Sequence, residues 1–381
     1  MPDLTSYQNQ DPNLREYADP EALSALIKSM IRGAAEALSS GFFGEFKDAL
    51  NQQLMIYPKM TEQDLKKLCF QSLFGGGHLI SDEAESLARL KAEWSGVLHD
   101  GLSHAPFSTE PIGGGHCRFP LCAIRDEKNA AYALTALNRL FIRSAEITRK
   151  RNGEQLCPSI PPFRHSAAFR AAYHPAYCVL RQELEALFPL FSKIEQLRSG
   201  QPLTVLAIDG SCGSGKTSLA AFLQSVYGCS IIHADDFFLP PELRTDDRYA
   251  EPGGNIHYER FLSEVVESLC AYKKESRTAH APSILSYRRF SCSDMAYQAE
   301  PVQVPLTPLV VVEGSYCLRP EFRAAYDISV FLSCSEQIQR ERILRRNGPE
   351  MLRIFEKKWI PMENRYFEHY KIREQADFIF S

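Results

Sequence analysis

Between Glu21 and Leu197 the apolar residues recur every three or four positions. Leu23, Leu26, Ile27, Met30 and Ile31 form one stripe with polar residues opposite, the pattern of a helix that buries one face. This half is predicted to be mostly helix. Thr61, with Asp64 three residues on, is a start signal ahead of Leu65, Leu68, Cys69 and Leu73, because each side chain can satisfy an unpaired N–H of the first turn. Loops are expected at Gly75–Gly77, at Gly113–Gly115 and along the Pro-rich run Pro158 to Pro162. A last helix is expected through Tyr177 to Leu197, ending near Gly200.

From Leu203 the texture changes. Short apolar runs at Leu203–Ile208, Ser230–Ala234, Leu309–Val312, Ile328–Leu332 and Phe378–Phe380 alternate with helical stretches. Continuous apolar strands of this kind are buried on both faces, so they predict an α/β fold with a parallel sheet in a three-layer αβα arrangement. At 381 residues and 44% hydrophobic content the chain can fill two cores. A boundary near Ser199–Pro202 divides it into residues 1–198, a mostly α-helical accessory domain, and residues 199–381.

Composition excludes more than it suggests. A formal charge of −4 with interspersed signs gives no reason to expect a nucleic-acid partner. The eleven cysteines show no paired C-x-x-C framework, which predicts reduced thiols and a cytoplasmic location. Met1 to Pro20 is polar where an export signal would need an apolar core, and no run nears the roughly 20 apolar residues of a membrane span. No membrane partner is expected. A homo-oligomer is compatible with the sequence, but nothing in it supports one.

The chemistry begins directly after the first strand. Gly210, Ser211, Cys212, Gly213, Ser214, Gly215, Lys216 and Thr217 fit the pattern G-x-x-x-x-G-K-[ST] between a strand and a helix. Glycines let successive N–H groups turn onto phosphates, and the positive end of the following helix adds to the attraction. Lys216 is expected on the β- and γ-phosphates, the Thr217 hydroxyl on Mg²⁺, and Ser218 beside them in the first helical turn. ATP and Mg²⁺ are therefore the expected cofactors, although nothing in the sequence separates ATP from GTP.

Three further elements specify what is done with the phosphate. Asp235 and Asp236 stand at the end of the second strand, where ligands sit in open α/β sheets. A carboxylate there can take a proton from an attacking hydroxyl, or the pair can simply begin a turn. Glu313, followed by Gly314, ends the third core strand and is the candidate second Mg²⁺ ligand. From Gln337 to Trp359 a helix and its continuation carry Arg340, Arg342, Arg345, Arg346 and Arg353. They could close over a phosphoryl group or form a solvated basic face.

With these motifs in this order, Pro202 to Ser381 resembles the uridine kinase-like family of P-loop kinases. The resemblance implies a P-loop kinase fold, with Asp235 as catalytic base, Glu313 at the metal, and Arg342, Arg345 and Arg346 as a lid of the R-x-x-R-R type. Asn255, Ile256, His257 and Tyr258 are similar to the family segment that follows its acceptor-side acid, and Ser286-Tyr287 to the aromatic element bordering the acceptor. Asp235, Asp236, His257 and Tyr287 are accordingly the expected acceptor-side residues. The chain departs from the family at Asn347-Gly348, where an Asp commonly follows the arginine pair. It departs again across Pro240 to Glu300, with Glu251-Pro252-Gly253-Gly254 and Arg288-Arg289-Phe290. Specificity is expected in that insert.

Residues 1–198 carry no motif of comparable content. His78 and His116 lie on glycine loops without partners at ligand spacing, Cys117 and Cys122 fit buried thiols, and Glu110 to Gly113 with Arg118 is either a second small-molecule loop or a connection. The leading expectation is a kinase acting on a hydroxyl of a small molecule, with a uridine-like nucleoside first among acceptors. Phe237 and Phe238 fit packing better than contact with the acceptor. The alternative is a regulatory NTPase whose helical half binds a partner. A nucleic-acid end kinase would need a basic, aromatic stripe that Arg288, Arg289 and Phe290 do not supply.

Overall fold

The computed structural model describes residues 21–22, 25–26, 40–76, 82–100, 109–152, 164–275 and 284–381. Leu23, Ile27, Met30 and Ile31 of the first stripe, Gly77, His78, His104 and Pro158 to Pro162 lie outside the described residues. The chain divides into two compact units, Met1–Gln196 and Leu197–Ser381.

The first unit is built on helices α1 (Ser40–Ile56), α2 (Glu62–Phe74), α3 (Glu83–Asp100), α4 (Ala130–Asn152), α5 (Ala167–Tyr173) and α6 (Phe188–Gly200). Thr61 opens α2 as expected. Asp64 Oδ2 accepts from Thr61 N at 3.0 Å and Thr61 Oγ1 at 2.8 Å. Leu65, Leu68, Cys69 and Leu73 then face a core shared with Phe46, Leu50, Tyr57 and Phe169.

The helix expected from Tyr177 onward begins as a strand. β1 (Glu110–Gly113), β2 (His116–Pro120) and β3 (Tyr177–Arg181) form an antiparallel sheet in that order. Gly113, Gly114 and Gly115 make the β1–β2 turn at positive φ, the conformation that favours glycine. His174, also left-handed with φ 42, caps α5. The run Cys178-Val179-Leu180 that follows is buried residue by residue, and burial on both faces erases the period that separates a strand from a helix. β1 brings Glu110 opposite Arg118, in a buried polar chain. Glu110 accepts from Gln53 Nε2 at 3.1 Å and from Tyr57 OH at 2.8 Å, and Arg118 donates to Gln53. Among the described residues this connection is a packed core element.

The second unit is a five-stranded parallel sheet ordered β12-β11-β4-β10-β5, flanked by helices. Its strands are β4 (Thr204–Gly210), β5 (Ser230–His233), β10 (Leu309–Glu313), β11 (Ile328–Leu332) and β12 (Phe378–Phe380). β4, β10 and β11 are buried along their full length. The run-on apolar pattern of their sequences requires that. Helix α7 (Lys216–Tyr227) follows β4. Helix α8 runs through Tyr258–Phe261, a π-type stretch Leu262–Val266 and Glu267–Glu275. Two small antiparallel pairs, β6 (Ile284–Tyr287) with β9 (Val302–Pro305) and β7 (Phe290–Ser291) with β8 (Ala296–Tyr297), lie in the insert and just beyond its end.

Helix α9 (Glu336–Ile354) leads through Phe355–Trp359 into α10 (Ile360–Tyr370). The helix expected from Gln337, with its continuation to Trp359, is interrupted at Gly348 (φ 80, ψ 172), just before Pro349. Glycine permits that backbone and proline has no N–H to continue the ladder. Among the described residues no helix is long and apolar enough to cross a membrane.

Candidate active site

A cavity of about 1110 Å³ opens at the C-terminal edge of β4, β5 and β10. Cys212 to Ser218 line one end, Arg342, Arg345 and Arg346 approach from α9, and Asp235, Glu313 and Glu363 supply its carboxylates.

The P-loop is fixed from several sides. A Cβ on Gly210 (φ +140) would stand 1.9 Å from Leu332 O, so only glycine lets β11 close on the loop. Asp209, fully buried, accepts from Gly210 N at 2.7 Å, Leu318 N at 2.9 Å, Tyr366 OH at 2.9 Å and Tyr316 N at 3.1 Å. Burial pushes its carboxyl up to about 6 against those hydrogen bonds. Glu363, from α10, accepts from Cys212 N at 2.9 Å and Ser315 Oγ at 2.7 Å. Gln339 Nε2 donates to Cys212 O at 2.9 Å, and Arg342 Nη1 to Gly213 O at 2.8 Å. Lys216 Nζ donates to Gly210 O at 2.7 Å, Ser211 O at 3.1 Å and Ser315 Oγ at 3.2 Å. It is thereby held over the loop.

Thr217 Oγ1 stands 3.3 and 3.2 Å from the two carboxylate oxygens of Glu313. A hydroxyl and a carboxylate side by side are the hard oxygen donors that Mg²⁺ takes, with phosphate oxygens and water completing the shell. The residues fit that ion. His233 Nδ1 lies 2.6 Å from Glu313 Oε1, and this hydrogen bond raises the histidine's pKa. The carboxylate is thus fixed between His233 and Thr217.

Asp235 lies across the cavity, in a 3₁₀ turn (Ala234–Phe237) that ends β5. Its side chain is open to the cavity yet walled by protein, and that desolvation pushes its carboxyl up to about 6. Glu313 and Glu363 push the same way, while Lys216 and His233 oppose. Gly314 (φ +140) stands behind it. An added Cβ there would meet Ala234 Cβ at 2.9 Å and Asp235 Oδ1 at 3.2 Å, which explains the glycine after Glu313.

The other acceptor-side expectations fall elsewhere. Asp236 is buried, accepting from Tyr287 OH at 2.8 Å and Arg289 Nε at 2.6 Å. Tyr287 is 3% exposed and packs on Phe237. His257 Nδ1 faces Glu259 Oε2 at 3.2 Å. None of the three lines the cavity: an ionised Asp236 needs a partner once buried, and Tyr287 and Arg289 are that partner. Phe237 is core, as its packing role requires, whereas Phe238 reaches the cavity wall. Residue patterns gave no notice of Asp209, Ser315, Gln339, Glu363, Arg244 or Tyr249. The one local signal was Asp209 itself, an acid inside an otherwise apolar strand.

In the first unit, His116 contacts Ser72 O at 3.0 Å and Thr148 Oγ1 at 2.9 Å through its two ring nitrogens. Among the described residues no group of three or more His, Cys, Asp or Glu is placed to hold a metal ion.

The parallel strand order and the P-loop define the second unit as a P-loop α/β unit. The resemblance read from its motifs has a counterpart among curated proteins. Uridine-cytidine kinase D of Dictyostelium discoideum is 27% identical over 151 residues, 39% of this chain and 28% of that protein. The chain thus spans little more than a quarter of that relative's length. A possible uridine kinase from Bacillus stearothermophilus aligns with a TM-score of 0.36 at 21% identity, over 51% of this chain and 100% of its own. A gluconokinase from Sinorhizobium meliloti 1021 gives 0.24 at 18%, over 46% and 95%. No family model matches the chain. The C-terminal half is similar to uridine kinase-like P-loop kinases.

Proposed function

We propose that the second unit is an ATP-dependent kinase that phosphorylates a hydroxyl of a small molecule. The observation that carries this reading is Asp235, open to the same cavity as the P-loop with its carboxyl near 6. A base tuned toward neutral pH is suited to accept a proton in the transition state. Bound ATP with Mg²⁺ would supply the γ-phosphoryl group and offset charge on it. Asp235 takes the acceptor's proton as that oxygen bonds phosphorus and the oxygen of ADP leaves. Lys216, Arg342, Arg345 and Arg346 offset the negative charge in transit, and Thr217 with Glu313 would hold the ion.

Phe238, Tyr249, Tyr316, Phe355 and Trp359 line the cavity, so a nucleoside is the first acceptor to try, in keeping with the name of the Dictyostelium relative. The test is ADP release from ATP and Mg²⁺ across nucleosides, sugars, sugar phosphates and hydroxy acids, with Asp235→Asn alongside. Stimulation by one acceptor, reduced about 100-fold or more in the variant, supports the kinase. Hydrolysis that no alcohol stimulates overturns it and favours the regulatory NTPase. The accessory role of residues 1–198 is part of the same proposal: a chain without them should keep small-molecule phosphorylation.

A further inference from the structure

The cations lining the cavity divide into two sets. Lys216, Arg342, Arg345 and Arg346 belong to the P-loop and to α9, where the triphosphate is expected. Arg244 belongs to neither: it lies in the insert, which also gives the cavity Tyr249, Cys292 and Met295. Three other arginines of the insert are neutralised, and Arg288, over the Tyr297 ring, does not line the cavity. Arg248 pairs with Glu259 at 2.7 Å, Arg260 with Glu264 at 2.6 Å and Arg289 with Asp236 at 2.6 Å. Among the described residues Arg244 forms no ion pair. Its Nε donates to Leu239 O at 2.8 Å, and its guanidinium lies 5.7 Å from the centroid of the Phe290 ring.

The guanidinium is therefore held at its Nε and against a ring, with no carboxylate taking its two terminal nitrogens. A fork fixed in this way matches the two oxygens of a carboxylate or phosphate and loses little freedom on binding them. Arg244, Cys292 and Asp235 line the same cavity, so a cation and the base face one enclosed space. A cation without a carboxylate partner in the same cavity as the base would be idle for a neutral alcohol and useful for an acidic one.

Resting on the kinase reading, we infer that the acceptor is an anionic alcohol, a hydroxy acid or a phosphorylated polyol, whose acidic group is bound by Arg244 while its hydroxyl faces Asp235. Arg244 is thus a specificity residue that the insert adds to the site. The inference displaces the uncharged nucleoside as the preferred acceptor.

The experiment uses the full chain with ATP and Mg²⁺ and a panel of matched acceptors: ribose, ribonate and ribose 5-phosphate; pantothenol and pantothenate; glycerol, glycerate and glycerol 3-phosphate; and uridine, cytidine and adenosine. The best acceptor is expected to be anionic, and the carboxylate and phosphate members of each set distinguish the two sources of charge. For that acceptor Arg244→Gln should raise KM about 10- to 100-fold with kcat changed less than about threefold. Arg244→Lys should recover part of the loss. A merely structural role would lower kcat and thermal stability with KM unmoved, and that result overturns the inference. A neutral best acceptor also overturns it and leaves the kinase reading standing. No stimulation by any alcohol, with nucleotide binding intact, removes both.

Discussion

Replacing Gly314 by alanine separates the position of the base from its chemistry. An added Cβ would lie 2.9 Å from Ala234 Cβ and 3.2 Å from Asp235 Oδ1, whereas carbon pairs settle at about 3.5–4.0 Å. Relief requires Ala234 to retreat by roughly 0.6–1 Å, drawing the adjacent Asp235 with it, and the Asp235 carboxylate itself to give by a few tenths of an ångström. A displacement of about 1 Å at a reacting group costs on the order of 100-fold in rate, and φ +140 adds about 1–3 kcal/mol of backbone strain for a residue with a side chain. Gly314→Ala should lower kcat about 10- to 100-fold and the unfolding free energy by about 1–3 kcal/mol, with ATP affinity nearly unchanged. Gly228→Ala is the control: φ is +62 and an added Cβ meets nothing within 4 Å, so strain appears without movement of the base. Initial rates of ADP release, calorimetric nucleotide binding and denaturant unfolding read the three quantities. A folded Gly314→Ala enzyme with kcat within about threefold of the parent would refute the assignment of Asp235 as a closely positioned base.

The remaining predictions are shorter. Because the Asp235 carboxyl is raised to about 6, the base is protonated below that pH. kcat/KM should therefore fall about tenfold per unit on the acid side and level off above it, and the limb should vanish in the residual activity of Asp235→Asn. Glu363→Ala removes the acceptor of Cys212 N and Ser315 Oγ. It should cost about 2–5 kcal/mol by chemical unfolding and weaken ATP binding, while Glu363→Gln, which keeps one acceptor, should cost about half as much. In the first unit, burial would raise the Asp64 carboxyl, but hydrogen bonds from His165, Ser166 and Thr61 outweigh it and hold it well below the usual range. Its stabilisation is present above about pH 4 and is lost as pH falls. Asp64→Asn should thus flatten the acid limb of the unit's stability measured by pH-dependent melting.

The sequence by itself determined the strands of the second unit, its P-loop and the carboxylate that ends β5. Those features are local: the central strands β4, β10 and β11, buried on both faces, must read as unbroken apolar runs, and a phosphate cradle needs glycines and a lysine at fixed spacing. Tertiary structure decided which polar groups face the cavity. Asp235 and Asp236 are adjacent and chemically alike, yet one is open to the cavity and the other is locked to Tyr287 and Arg289, more than fifty residues away. Glu363 reaches Cys212 from 151 residues along the chain, and β3 is a strand because β2 pairs with it. Such choices depend on partners brought together by folding, since a buried charge must find its counterpart wherever the chain supplies one. No window of sequence contains both halves of such a pair.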